Sequence, residues 1–196
     1  MVSRQRKRKN KNKHNEYYPV YKGRVNQPTI FSSWGDAHPR VTGCNADFRG
    51  CVTIEEAREF MKIRGVTEPK EILKEGAGET APLPNKLAFY AVANGKSPGI
   101  YTCYYGKPGA KEEVNEFSGA CHQHFRTRAQ AEAFIEDWKD SYADIWRSAI
   151  REALDQGFRT VDMKIEVGDI LSLPESDDIL DGLKMDKLRI KDGAHD

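Results

Sequence analysis

Two stretches of this chain, starting at Tyr17 and Phe89, set out the same landmarks in the same order. Any fold for the chain has to accommodate both. The clearer stretch runs from Phe89 to Trp138. It opens with the aromatic β-run Phe89-Tyr90-Ala91-Val92, broken at Asn94-Gly95. That pair marks a hairpin, because both residues tolerate the left-handed backbone that tight turns need. A second β-run covers Ile100 to Tyr105, and Gly106 to Gly109 then interrupts the chain. Lys111 to Phe117 predicts a short polar helix or turn, followed by a third short strand ending near Phe125. Thr127-Arg128-Ala129-Gln130 is a capping box, in which hydroxyl and amide each satisfy a helical N–H that would otherwise lack a partner. The helix it starts puts Ala131, Phe134, Trp138 and Tyr142 on one stripe.

The stretch from Tyr17 repeats this plan. Tyr17-Tyr18-Pro19-Val20 matches Phe89-Tyr90-Ala91-Val92, and Lys22-Gly23-Arg24 matches Asn94-Gly95-Lys96. Pro28-Thr29-Ile30-Phe31-Ser32-Ser33-Trp34 matches Pro98-Gly99-Ile100-Tyr101-Thr102-Cys103-Tyr104. Cys44 stands four residues before Phe48, as Cys121 stands four before Phe125. On that alignment, three extra residues separate Phe48 from the second capping box, Thr53-Ile54-Glu55-Glu56. Ala57 and Phe60 repeat the spacing of Ala131 and Phe134, and Gly65 is the expected left-handed helix cap. A period of about 72–77 residues is too long for a solenoid and reads as two tandem copies of one small domain.

These landmarks resemble the small N-terminal hybrid-binding domain of eukaryotic type 1 ribonuclease H, also called the caulimovirus viroplasmin-like domain. The matching pieces are Tyr90-Ala91-Val92, Gly95-Lys96, Gly99-Ile100-Tyr101, Val114 to Phe117, Gly119-Ala120, Phe125, and Ala131 with Phe134. The resemblance implies binding to RNA/DNA hybrids and double-stranded RNA through an A-like minor groove, with lysines on phosphate and an aromatic ring on a sugar. Such grooves are read by shape and 2′-hydroxyls, with affinity from counterion release. Carried onto this sequence, the resemblance implicates Tyr18, Lys22, Arg24 and Trp34 in the first copy. In the second it implicates Tyr90, Lys96, Tyr104, Gln123, His124 and Arg126. Two lysines usual in the family before the phenylalanine of the third strand are replaced by Ala46-Asp47 and Gln123-His124. Asp47 would meet a phosphate with the wrong sign, and His124 would help only when protonated.

The flanks differ in charge. Residues 1–16 hold seven Lys or Arg (Arg4, Arg6, Lys7, Arg8, Lys9, Lys11 and Lys13) against one acid. This basic arm, without an apolar residue from 4 to 13, cannot fold alone and is expected to reach phosphate or to act as a nuclear localisation signal. Residues 160–196 hold ten acids against five bases, and the tail 158–196 is expected to be mostly disordered, with apolar patches suited to docking a protein partner. Between the copies, residues 67–86 carry three prolines and Gly76-Ala77-Gly78, which predicts a linker with one helical turn at Lys70–Lys74. Residues 139–157 extend the last helix, either folding back on the second copy or forming a dimer seam.

No apolar run approaches the ~18 residues a membrane helix needs, and no signal peptide opens the chain, so an intracellular protein, nuclear or cytoplasmic, is expected. Four cysteines without a C-x-x-C pair read as small buried hydrophobes. Cys121-His122-Gln123-His124 offers too few ligands on one strand face for a metal, and no cofactor fingerprint occurs. A ribonuclease H catalytic domain would not fit in the residues after Trp138, so no enzyme activity is expected. The expected architecture is α+β: a basic disordered arm (1–16), a first module (17–66), the linker (67–86), a second module (87–138), the helical extension and the tail. Each module is a three-stranded antiparallel sheet packed with helices. The expected function is non-catalytic recognition of RNA-containing duplexes. The alternative is a protein-interaction adaptor that kept this fold and lost the ligand.

Overall fold

The structure, a computed structural model, describes residues 14–159; the basic arm to Lys13 and the tail from residue 160 lie outside the described residues. The first module consists of β1 (Tyr18–Lys22), β2 (Thr29–Phe31), α1 (Trp34–Val41), β3 (Asp47–Phe48), α2 (Ile54–Ile63) and β4 (Lys70–Ile72). The second consists of β5 (Phe89–Asn94), β6 (Gly99–Tyr101), α3 (Ala110–Val114), β7 (Cys121–Phe125) and α4 (Arg128–Asp155). The sheet orders are β3-β1-β2-β4 and β6-β5-β7, antiparallel within each hairpin-built core. The α+β expectation with paired modules therefore holds.

Strand alternation sorts the side chains onto two faces. In the first module Tyr18, Val20 and Phe31 meet Ala37 and Val41 of α1. On the other face Ile30 and Cys51 meet Ala57, Phe60 and Met61 of α2. In the second module Ala91, Ala93, Cys121 and Phe125 pack against Ala131 and Phe134 of α4. Both capping boxes form. Thr53 and Thr127 accept from the N–H groups of Glu56 and Gln130, whose side chains reach back to the N–H groups of Val52 and Thr127. Each hairpin glycine also has a packing role. A Cβ at Gly23 would stand 2.6 Å from the Arg40 carbonyl oxygen, and one at Gly95 2.8 Å from that of Glu113. Those carbonyls accept from the N–H groups of Arg24 and Lys96, so both hairpins are anchored to the end of the neighbouring helix.

The segment expected as a linker is not extended spacer throughout. Lys70–Ile72, expected as a helical turn, forms β4 and adds to β2 in parallel, Ile30 opposite Glu71. The strand wins over the turn because β2 supplies backbone partners and Ile72 packs against the core that includes Phe31. Further along, the Glu16 carboxylate accepts from Thr80 N, Thr80 Oγ1 and Ala81 N at 2.6–3.0 Å, pinning the segment to the chain ahead of β1.

The chain divides after Ile145, and residues before that point include both modules, which pack on each other. Trp34 touches the cores of both. The Ser141 hydroxyl donates to the Asp36 carbonyl at 2.8 Å, Trp138 Nε1 donates to His38 Nδ1 at 3.3 Å, and Lys74 bridges Asp137 and Asp36. After Ile145, α4 continues to Asp155 and ends at Gly157 in the left-handed cap conformation, φ 89°. Two of the four thiols, Cys51 and Cys121, are buried as expected; Cys44 and Cys103 are exposed. No helix among the described residues is long and apolar enough to cross a membrane.

Candidate nucleic-acid interface

Each sheet carries an aromatic triplet on the face away from its long helix, and the two triplets superimpose in kind. In the first module the Trp34 ring lies 5.0 Å from Tyr18 and 5.9 Å from Phe48. In the second, the Tyr104 ring lies 5.6 Å from Tyr90 and 6.0 Å from His122. Trp34 and Tyr104 thus are equivalents, although Trp34 is the first residue of α1 rather than the end of a strand.

This geometry corrects the alignment of the third strands. Val20 pairs with Phe48 and Tyr17 bridges to Cys51, whereas Val92 pairs with His122 and Phe89 with Phe125. Cys51, not Phe48, is therefore the counterpart of Phe125, and the family's lysine pair falls on Arg49-Gly50 rather than Ala46-Asp47. Cys51 precedes the capping threonine by two residues, as Phe125 does. Counting back from the cap gives the right register; matching phenylalanine to phenylalanine does not. Asp47 does not confront a ligand. Its carboxylate accepts two hydrogen bonds from Arg64 at 2.7 and 2.9 Å, which hold it below the usual carboxylate range.

In the first module's triplet only Tyr18 is buried: Trp34 is half-buried and Phe48 is 40% exposed. Tyr18 is 6% exposed, and its hydroxyl donates to the Asn15 carbonyl and to Gln123 Oε1. Trp34 is packed against the second module's core. Burial of the Tyr18 ring speaks against the contact expected of it, and Trp34 keeps only part of its surface. Arg24 is also occupied: its guanidinium donates to the carbonyls of Pro39, Thr42 and Gly43 at the end of α1, where cations offset the helix dipole. Lys22 remains exposed at the end of β1. In the second module, Gln123 and Arg126 are likewise diverted from the binding role expected of them. The Gln123 carboxamide bonds Tyr18, His14 and the Asn15 carbonyl, because strand alternation turns it away from His122 and His124. Arg126 donates to the Ala81 carbonyl.

The remaining implicated residues lie on one face of the second module. Tyr90 and Tyr104 are half-buried, while His124 and Lys96 are exposed. His124 stacks on Tyr90 at 5.8 Å and meets the His14 ring edge-on at 5.0 Å. Beside them lie two residues not implicated from the sequence, Tyr105, 71% exposed, and Lys111, whose Nζ sits 5.1 Å from the Tyr105 ring centroid. The adjacent aromatics Tyr104-Tyr105 in a glycine-flanked turn were the available signal. Loss of hydration draws the imidazoles of His122 and His124 below their ordinary value, and His124 lowers His122 further. Both rings are therefore neutral near pH 7, and His124 supplies no standing cation. The face offers ring edges, hydroxyls and flanking lysines, a set suited to polar contacts along a sugar–phosphate backbone. Among the described residues no group of His, Cys, Asp or Glu is placed to hold a metal.

Residues 16–61 and 88–135 both match the family model described as Ribonuclease H1 N-terminal domain. No curated protein and no solved structure matches the chain.

Proposed function

Because the chain carries two tandem domains of the ribonuclease H1 N-terminal family, a family that points to nucleic-acid binding, we propose that it is a non-catalytic protein recognising RNA-containing duplexes. The second module makes the contact. Tyr104 packs a sugar, Lys96 and Lys111 meet phosphates, and the ring edges of Tyr90 and His124 lie along the 2′-hydroxyl-bearing groove. The observation that carries this reading is that Tyr104 lies between Tyr90 and exposed Tyr105, with His124 stacked on Tyr90 and Lys111 beside the Tyr105 ring. The basic arm adds charge without sequence preference. Gln123 and Arg126 favour a second reading, a protein-interaction adaptor, since both are spent on module packing.

His124→Lys tests the first reading, and Gln123 is left unchanged because it ties the modules together. The lysine is expected to strengthen RNA/DNA hybrid binding by about 1–3 kcal/mol through a charge-assisted phosphate contact. Adding Tyr104→Ala is expected to cancel most of that gain. Titrations against hybrid and DNA duplex of equal length, at two salt concentrations, read the result. A gain equal on both duplexes and absent at high salt supports the adaptor instead.

Deleting residues 1–13 is expected to flatten the dependence of log affinity on log salt, by roughly 0.9 for each phosphate no longer neutralised. An unchanged slope would show that the arm does not touch the nucleic acid.

A further inference from the structure

The two modules differ at one sheet edge. In the first, β4 covers the outer edge of β2: Lys70 N donates to the Pro28 carbonyl, Ser32 N to the Ile72 carbonyl, and Lys74 N to Ser32 Oγ. Thr29, Ile30, Phe31 and Ser32 are all buried there. In the second module the same strand is β6, and among the described residues nothing pairs with its outer edge. Four of the five positions from Pro28 to Ser32 recur in kind, with Gly99 in place of Thr29. Pro98 stands for Pro28, Ile100 for Ile30, Tyr101 for Phe31, and Thr102 carries the hydroxyl of Ser32. Gly99 to Tyr101 are only half-buried, and Thr102 is exposed.

We propose that β6 is a docking edge to which a partner protein adds an extended segment as a parallel strand. Sheet edges with free backbone groups template such additions, and β4 shows the geometry this edge was built to take. The chemistry of the partner follows from the neighbouring helix. In the first module Arg58, five residues after the capping Thr53, binds Glu71 of the added strand at 2.7 and 2.9 Å. The residue five after the capping Thr127 is Glu132, so the charge is reversed. The docked segment therefore carries Lys or Arg where β4 has Glu71, and an aliphatic residue where β4 has Ile72. Among the described residues Glu132 is bound by exposed Arg128, one turn away, an interaction weak enough to be exchanged.

The probe is a labelled heptapeptide copying residues 68–74 with lysine in place of Glu71, compared with the same peptide keeping glutamate. The full chain is expected to bind the lysine peptide at least about tenfold more tightly, with hydrogen-exchange protection appearing at the Thr102 amide. Glu132→Lys, a surface change, should invert the preference. Thr102→Pro removes the N–H equivalent to that of Ser32 and should abolish binding of both peptides. Binding that survives Thr102→Pro, a preference that does not invert, or no saturable binding of either peptide overturns the proposal. Peptide affinity that falls as protein concentration rises would assign the edge to a second copy of this chain, and would likewise overturn it.

Discussion

Gly35→Val is expected to force the two modules apart. Gly35 is the second residue of α1 and lies directly on α4: a Cβ there would stand 2.5 Å from the Phe134 carbonyl oxygen and 3.0 Å from Trp138 N. Both are backbone atoms inside a helix, so neither can yield without disturbing the hydrogen bonds of α4. Overpacking costs about 1–3 kcal/mol, and the unyielding backbone atoms place this substitution at the upper end. It also strands the Trp138–His38 and Ser141–Asp36 hydrogen bonds, which depend on the same approach. Urea unfolding followed by far-ultraviolet dichroism is the measurement. The native protein should unfold in one transition and resist proteolysis between residues 73 and 88. The variant should show two transitions and be cut there. A single unshifted transition would mean that α1 and α4 do not touch in solution.

The second large effect is electrostatic and lies in the same contact. Burial lowers the His38 imidazole to about 4, with His122 adding to the effect and the Ala120 carbonyl opposing it. Burial, then repulsion from Asp137, raises the Asp36 carboxyl to about 6 against the pull of Lys74 and Arg40. The signs oppose each other. The unfolded chain protonates His38 more readily, so the stability it contributes is complete above pH 6.5 and is lost as pH falls towards 4. The folded chain protonates Asp36 more readily, so its cost at neutral pH disappears as pH falls through 6. Each amounts to about 3 kcal/mol, and over this window they nearly cancel. Asp36→Asn is therefore expected to stabilise the protein by about that much at pH 7 and to leave it unchanged at pH 4. The variant should then lose stability on mild acidification where the native protein does not. Denaturant titrations at pH 4, 5.5 and 7 give the comparison; equal gains at all three would show that this contact does not raise the Asp36 carboxyl.

The parts of this architecture visible in the sequence are those determined by short-range chemistry. Thr53-Glu56 and Thr127-Gln130 cap helices through bonds three residues apart, and Gly65 adopts the left-handed cap at φ 80°. The hairpin glycines and the aromatic strands are equally local. The features hidden from the sequence are long-range. Trp34, Tyr18 and Gln123 have residue types suited to binding, but each is claimed by a partner about a hundred residues away. Nothing in Lys70-Glu71-Ile72 itself favours strand over helical turn; the edge of β2 decides it. The third-strand register was hidden because Cys51 replaces a phenylalanine, and Phe48 offered a false match.

The burial of Tyr18 bears on the proposed duplex recognition as a question of valence. Two copies gripping one long duplex would gain an avidity of about 10²–10⁴ over either alone, through high effective concentration. If the second module alone makes the contact, as proposed, that gain is absent. Lengthening a duplex beyond one footprint is then expected to add places to bind but no second hold.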